Sequence, residues 1–511
     1  MASMLLSPWV LGLFFVALMV YLLLPKKPKL PPGTKRLPGP KGVPILGSVP
    51  ELPAKHSWLQ FHEWAKTYGP LCQVQLLGDT IVLISDPKIA EDLLVKRQAN
   101  YSSRAKFPAI WGDCATDVHY LPLMAHGPDH KRSKLFAKKL VASIPRAHTG
   151  KVIAEWTAVL IGDLLRNPSE FKELLELCCA RISSTIAWGD GKIETAKETV
   201  KRSVELLEGI SPESIENKLP FLEHIPSWIP GFLQPWRANE KRRATQERAF
   251  WLGQRAQCKS LMAEKQDLTS WTKSSLRDPT LNDEEAAYTV GTLSLIGGVL
   301  ESAPIQGLFL AMCHFPEWQK RGQDEVDAVC GNRMPNPDDI PQLPVVRALI
   351  RELFRWRTPV PFGVPHKTEQ DDVYNGYFIE KGSLCFALEW AMMRDEALYP
   401  DADNYNPGRW LEPGYPTYKE PLTQYPLVKG HSGFGWGRRT CVGQEYSEPV
   451  LITIVASILW SCTIQKKIDP ETGLEIEVPW MDYGPFVIVR PNKCELDVKP
   501  RDEWRIKALS T

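Results

Sequence analysis

The chain has 511 residues, 43% hydrophobic and 24% charged, the balance of a folded protein with a sizeable core rather than of a disordered or fibrous one. Lys plus Arg number 61 and Asp plus Glu 60, so a net charge of +1 gives no electrostatic case for a nucleic-acid partner. The 11 cysteines are scattered, with one adjacent pair and no zinc-type spacing, so neither a disulfide framework nor a structural metal site is indicated, which suits a reducing compartment.

Met4 to Leu24 is apolar apart from Ser7, and roughly 20 such residues cross a hydrocarbon core. No basic segment precedes this run and no small-x-small site follows it, so residues 1–25 are expected to be a retained membrane anchor rather than a cleaved signal. Lys26, Lys27, Lys29, Lys35 and Arg36 follow the span and place the body on the cytoplasmic side. Residues 26–49 contain Pro31-Pro32-Gly33 and Leu37-Pro38-Gly39-Pro40, a stiff proline-rich connector, and 50–511 form the body. Asn100-Tyr101-Ser102 is a glycosylation sequon that stays unused if the body faces the cytosol.

Leu71 to Leu77 and Thr80 to Ser85 alternate around Gly78-Asp79 and predict a hairpin, with a short helix from Pro87. Arg104 to Met124 is irregular. Pro128 to Lys134 opens a basic helix in which His130 and Lys134 share one face. Between Val204 and Trp236 the chain is apolar and broken by proline, too apolar for an exposed loop, so this passage packs or dips into lipid. Arg237 to Lys265 predicts a long charged helix, and Asp283 to Phe315 a long apolar one. Within the latter, Pro304 has no N–H for the Leu300 carbonyl, which disturbs the helix, and Gly297 and Gly298 loosen it further. A helix from Pro316 and another over Pro344 to Trp356 follow, the second with Glu352 and Arg355 on one face. Asp372 to Lys381 and Ser383 to Leu388 predict short strands around Gly376 and Gly382. After the loop Phe434 to Gly443 comes a helix over Gln444 to Cys462, whose N-terminal dipole favours a negative charge in the loop. The tail holds a turn at Pro470 to Gly473 and a strand at Val487 to Val489.

That loop reads Phe434-Gly435-Trp436-Gly437-Arg438-Arg439-Thr440-Cys441-Val442-Gly443. A cysteine among glycines and cations can hold its sulfur as thiolate, the form that binds metal. Phe434, Gly437, Arg439, Cys441 and Gly443 resemble the haem-ligand signature of the cytochrome P450 family, in particular of fungal microsomal members that tailor secondary metabolites. The resemblance implies a mainly α fold with small β-sheets, preceded by a single N-terminal transmembrane helix. It implies haem b with Cys441 as the axial iron ligand, and glycines that let backbone approach the porphyrin. His130, Lys134, His366 and Arg439 would then meet the haem propionates. Family members usually carry tryptophan and arginine at the first two positions, and lysine lacks arginine's planar fork, so the clamp is expected to be looser. Glu352, Arg355 and Arg409, the last in Tyr405-Asn406-Pro407-Gly408-Arg409-Trp410, would form the buried cluster that locks the core behind the haem.

One segment departs from the pattern. Aligning Phe309-Leu310-Ala311-Met312 with fungal relatives puts Ile296 to Glu301 on the oxygen-activating segment, with Val299 and Leu300 in place of the usual acid and alcohol. Glu301 and Ser302 are candidates to supply the missing groups, although two residues further on is about 200° around an ideal helix. Alternatively the protons come from a substrate hydroxyl or from water, or the reaction is redox-neutral and needs no relay. The expected function is monooxygenation of an apolar small molecule with O₂ and electrons from NADPH through NADPH-cytochrome P450 reductase, at the endoplasmic reticulum membrane. A redox-neutral cyclase or isomerase, revealed by turnover without NADPH, and a haem-binding carrier, revealed by ligand-induced spectra without product, are the rivals.

Overall fold

The computed structural model describes residues 29–110, 119–211, 214, 216–217, 222, 225–226, 228–264, 268–484 and 487–508. The expected membrane helix over Met4–Leu24 lies outside the described residues, as does part of the proline-broken apolar passage. Helices dominate, with three small sheets.

The hairpin forms as Leu71–Leu76 (β2) and Asp79–Ile84 (β3), turning at Leu77 and Gly78, both at positive φ. β3 pairs in parallel with Leu384–Ala387 (β8), β8 antiparallel with His366–Lys367 (β5), and β5 with Ser103–Arg104 (β4). That register sets Arg104 opposite His366. Lys35–Arg36 (β1), inside the proline-rich stretch, pairs in parallel with Tyr377–Ile379 (β7), which pairs with Asp372–Tyr374 (β6). Cys462–Lys466 (β9) and Leu496–Pro500 (β10) make an antiparallel ribbon. The strand expected over Val487–Val489 does not form: Ile488 and Val489 are buried in irregular backbone. A three-residue apolar run fits a strand and buried coil equally well.

The longer helices are Ser57–Tyr68 (α1), Pro128–Ala142 (α2), Arg146–Arg166 (α3), Phe171–Trp188 (α4), Ile193–Gly209 (α5) and Pro235–Ala263 (α6). They continue as Trp271–Leu276 (α7), Asp283–Val299 (α8), Ser302–His314 (α9), Pro316–Cys330 (α10), Pro344–Trp356 (α11) and Gln444–Ser461 (α12). α8 starts from a capping box of Asn282 and Glu285 and packs against α4. Gly297 and Gly298 do not loosen the helix, which runs unbroken through both where α8 lies against Ser183 and Ala180 of α4. The hydrogen-bond ladder lapses at Leu300 and Glu301, one turn before Pro304, as the missing N–H requires. Both residues keep helical dihedrals, φ −67°, ψ −34° and φ −71°, ψ −30°, so the axis runs on into α9. Asp283–His314 is long and apolar enough to cross a membrane, yet it is buried inside the protein.

Behind this helix pair, Glu352 and Arg355 on α11 meet Arg409. Arg355 donates to both Glu352 carboxylate oxygens at 2.7–2.9 Å, and Arg409 Nε to Oε1 at 3.2 Å. Trp410 Nε1 and the Asn406 N–H complete the carboxylate's partners at 3.0 and 2.9 Å. The remaining guanidinium groups take the carbonyls of Met393, Ala402, Asn404, Pro400 and Asp401. One buried carboxylate therefore ties α11 to the loop over residues 393–410.

Candidate active site

Cys441 lies at the end of the glycine-rich loop, just before α12, and lines a cavity walled by α2, α8, the Leu300–Pro304 segment, α11, β5 and the loop itself. Its N–H donates to the Phe434 carbonyl at 2.7 Å, which closes the loop on itself, and the Gly443 N–H donates to Cys441 Sγ at 3.3 Å. Gly437, at φ +54°, has no alternative, since a Cβ there would lie 2.3 Å from the Leu94 carbonyl oxygen. Burial pushes the Cys441 thiol up, while the N–H groups of Gly443 and Gln444 pull it down. Glu301 adds to the rise and Lys134 of α2 opposes it, but burial prevails. Deprotonation is thus left to a bound metal, as for other thiolate ligands.

Five cationic or imidazole groups line one wall: Arg104, His130, Lys134, His366 and Arg439. Among the described residues none of them forms an ion pair, and they depress one another. Burial pushes His130 and His366 down to about 3, with Arg104 and Arg439 adding to it. Burial also pulls Lys134 down to about 8 and Arg439 to about 10. Arg439 donates from Nε to Ser102 O and from Nη2 to Met124 O, both at 2.7 Å, while its buried Nη1 has no partner. Arg104 is held by the carbonyls of Pro122, Val364 and Pro365. His366 Nδ1 sits 2.6 Å from Tyr101 O and must donate there, which leaves Nε2 free to accept or, once protonated, to donate. A buried group of cations with an orphaned N–H wants anions, and the two propionates of a haem fit that demand. The site therefore fits haem.

Lys134 also serves the loop: its Nζ donates to the carbonyls of Arg438 and Thr440, binding α2 to the loop and leaving one of its three N–H donors for an anion in the cavity. Arg104 is the member that sequence reasoning missed, since a two-residue strand in an irregular stretch carries no periodic signal.

On the opposite wall, Thr289, Thr292, Leu293, Ile296, Leu300, Glu301 and Pro304 line the cavity. Val299 is buried away from it. Glu301 is buried, accepts the Ser447 hydroxyl at 2.7 Å on Oε1, and has no partner on Oε2. Burial without a cation pushes its carboxyl up to about 8. Leu300 and Glu301 both reach the cavity without leaving helical dihedrals, because the cavity extends around that side of the helix toward α12. Ser302 is not brought there. Its hydroxyl donates to the Val299 carbonyl at 2.8 Å and accepts from Gln306, which also bonds Glu176 on α4.

A second buried carboxyl that lines the cavity, Glu389, accepts from Ser432 Oγ at 2.7 Å and Trp436 Nε1 at 3.2 Å and so holds the loop. Phe434 packs against Phe354 of α11, the rings tilted by 34° with centroids 5.4 Å apart.

The arrangement defines a thiolate-ligand loop beneath a cavity with an anion-binding wall and an apolar roof. The model of the cytochrome P450 family matches residues 37–481. Cytochrome P450 monooxygenase psoD of Aspergillus fumigatus is 32% identical over 90% of each chain. Cytochrome P450 monooxygenase ple1 of Rhodocybe pseudopiperita is 30% identical over 94% of this chain and 91% of that one. Cytochrome P450 monooxygenase 105 of Postia placenta is 28% identical over 97% and 94%. The chain belongs to the cytochrome P450 family. It is an enzyme of the monooxygenase type, and the family implies a haem whose iron is bound by thiolate.

Proposed function

We propose that this chain is a haem-thiolate monooxygenase that oxidises an apolar small molecule in fungal secondary metabolism, with Cys441 as the axial ligand. The observation that carries the reading is Cys441 facing the same cavity as a buried, unpaired cation wall. Bound there, haem iron would supply O₂ activation, with the thiolate's electron density favouring O–O cleavage. Arg104, Arg439, His130 and His366 would hold the propionates, and a propionate would raise both imidazoles from their depressed state. Glu301 would be the proton donor that Val299 and Leu300 cannot be: a cavity-lining carboxyl that keeps its proton near neutral pH, aligned by Ser447, with Oε2 unpartnered. Ser302 would brace the lapsed ladder at Val299. Leu293, Ile296, Leu300 and Pro304 would exclude water and favour an apolar substrate.

Electrons would come from NADPH through NADPH-cytochrome P450 reductase, drawn to exposed Lys131, Arg132, Lys138, Lys139 and Arg438. The domain division would be an anchor at 1–25, a connector at 26–49 and a cytoplasmic catalytic body at the endoplasmic reticulum membrane. Trp228 and Phe232, each 81% exposed, support a body that touches lipid. Val299 and Leu300 favour one second reading, a redox-neutral isomerisation or cyclisation. Expression in yeast microsomes with a reductase and candidate precursors decides between them. Product that requires NADPH, and a thiolate-type carbon monoxide spectrum that Cys441→Ser abolishes, is the expected result. Turnover without NADPH selects the second reading.

A further inference from the structure

A second cavity of about 780 Å³ opens on the thiolate side of the molecule, far above the roughly 15 Å³ that one water needs. Its rim carries exposed Lys138, Arg146, Asp338 and Glu445, so it communicates with solvent. It shares Val141, Trp271, Cys441, Val442 and Tyr446 with the haem cavity, so these residues form the partition between the two. Two polar atoms in that partition, Trp271 Nε1 and Tyr446 OH, are buried without a hydrogen-bond partner among the described residues. Their rings meet edge to face at 5.3 Å. Tyr446 lies beneath Gly297, where a Cβ would be 3.6 Å from its Cε1, and Glu301 follows Gly297 by one turn on the same helix face. Ser447, the next residue, bonds Glu301 directly. Buried polar atoms that find no protein partner are characteristically satisfied by water.

We propose that Glu301 is reloaded with protons from the thiolate side, through this second cavity and past the Trp271–Tyr446 pair. The inference rests on Glu301 being the proton donor. Each delivery breaks the Oε2–H bond of Glu301 and leaves a carboxylate. A water hydrogen-bonded to Tyr446 OH then gives that carboxylate a proton. The Tyr446 hydroxyl releases one proton to that water and accepts another from the outer water, remaining neutral throughout. Net, one proton moves from solvent at the rim to the haem cavity. Trp271 can only donate, so it orients the water without carrying the proton.

The test uses the full-length haem-loaded protein and the infrared C=O stretch of the neutral Glu301 carboxyl, assigned by its loss in Glu301→Gln. On mixing with D₂O this band shifts as the proton exchanges. Tyr446→Phe keeps the ring and removes the hydroxyl, and should slow the exchange about tenfold, the loss of one hydrogen bond of about 1.4 kcal/mol. Val141→Phe, which narrows the partition without touching a polar group, should slow it as well. During turnover both variants should divert electrons to peroxide with KM unchanged. Exchange as fast as wild type in both variants overturns the route. A Glu301→Gln variant that stays fully coupled instead overturns Glu301 as donor, a separate failure from that of the route.

Discussion

At the cavity wall a carboxyl with no cation beside it keeps its proton up to about pH 8, which makes Glu301 an acid at neutral pH. If Glu301 is the proton donor proposed above, product formed per NADPH should fall as pH rises through about 8, and Glu301→Gln should be poorly coupled at every pH. A pH-independent, fully coupled Glu301→Gln would remove the residue from the chemistry. General acid groups contribute roughly 100- to 10,000-fold, so the drop should be visible well above error. Arg439 offers a second measurement. Its unpartnered Nη1 points to a charge-assisted bond with a propionate, worth about 1.5–3 kcal/mol, so Arg439→Ala should weaken haem retention roughly ten- to a hundredfold in competition with apomyoglobin. Retention like that of wild type would mean that the propionates lie elsewhere.

At the scale of elements, α11 begins where a carboxyl from α10 caps it. Glu325 accepts the Val345 and Val346 N–H groups at 2.8 and 2.9 Å, and burial pushes it up from 4.5 to about 7. Its folded value lies above the unfolded one, so its stabilisation is complete below about pH 4.5 and is lost as pH rises through about 7. Glu325→Gln should therefore flatten the decline in stability across that window, by at most about 3 kcal/mol. Denaturant titrations of both proteins at pH 5 and pH 8 check it, and equal slopes would refute it. The bounds of α11 were legible because Pro344 marks its start and apolar residues recur at helical spacing up to Trp356. The lapse before Pro304 was legible for the same kind of reason, a missing donor. Arg104 and the ribbon of β9 with β10 were not, because strand partners distant in sequence leave no local trace. Nor could the sequence say that Ser302 turns toward Gln306 and Lys134 toward the ligand loop, since those choices depend on which neighbour the fold brings close.

Across the whole molecule, the ligand loop is held from several sides: by α2 through Lys134, by the Ser102 and Met124 carbonyls through Arg439, by Glu389 through Ser432 and Trp436, and by α11 through Phe354 against Phe434. Only the last of these depends on a hub that also fixes the loop over residues 393–410. Glu352 is fully buried and is the one carboxylate shared by Arg355 and Arg409, themselves fully buried. Glu352→Ala would strand two guanidinium groups and the Trp410 N–H, at a cost of about 3–5 kcal/mol, a large fraction of what holds a domain together. The loss should show as a lower unfolding midpoint in urea and as protein that no longer incorporates haem, because α11 then stops fixing Phe434. Glu352→Gln separates charge from shape: it keeps an acceptor for Arg355 but leaves both cations unneutralised, so it should fall closer to Glu352→Ala than to wild type. If Glu352→Gln instead incorporates haem as wild type does, the hub works through hydrogen-bond geometry, and burial of the paired charges contributes nothing to holding the loop.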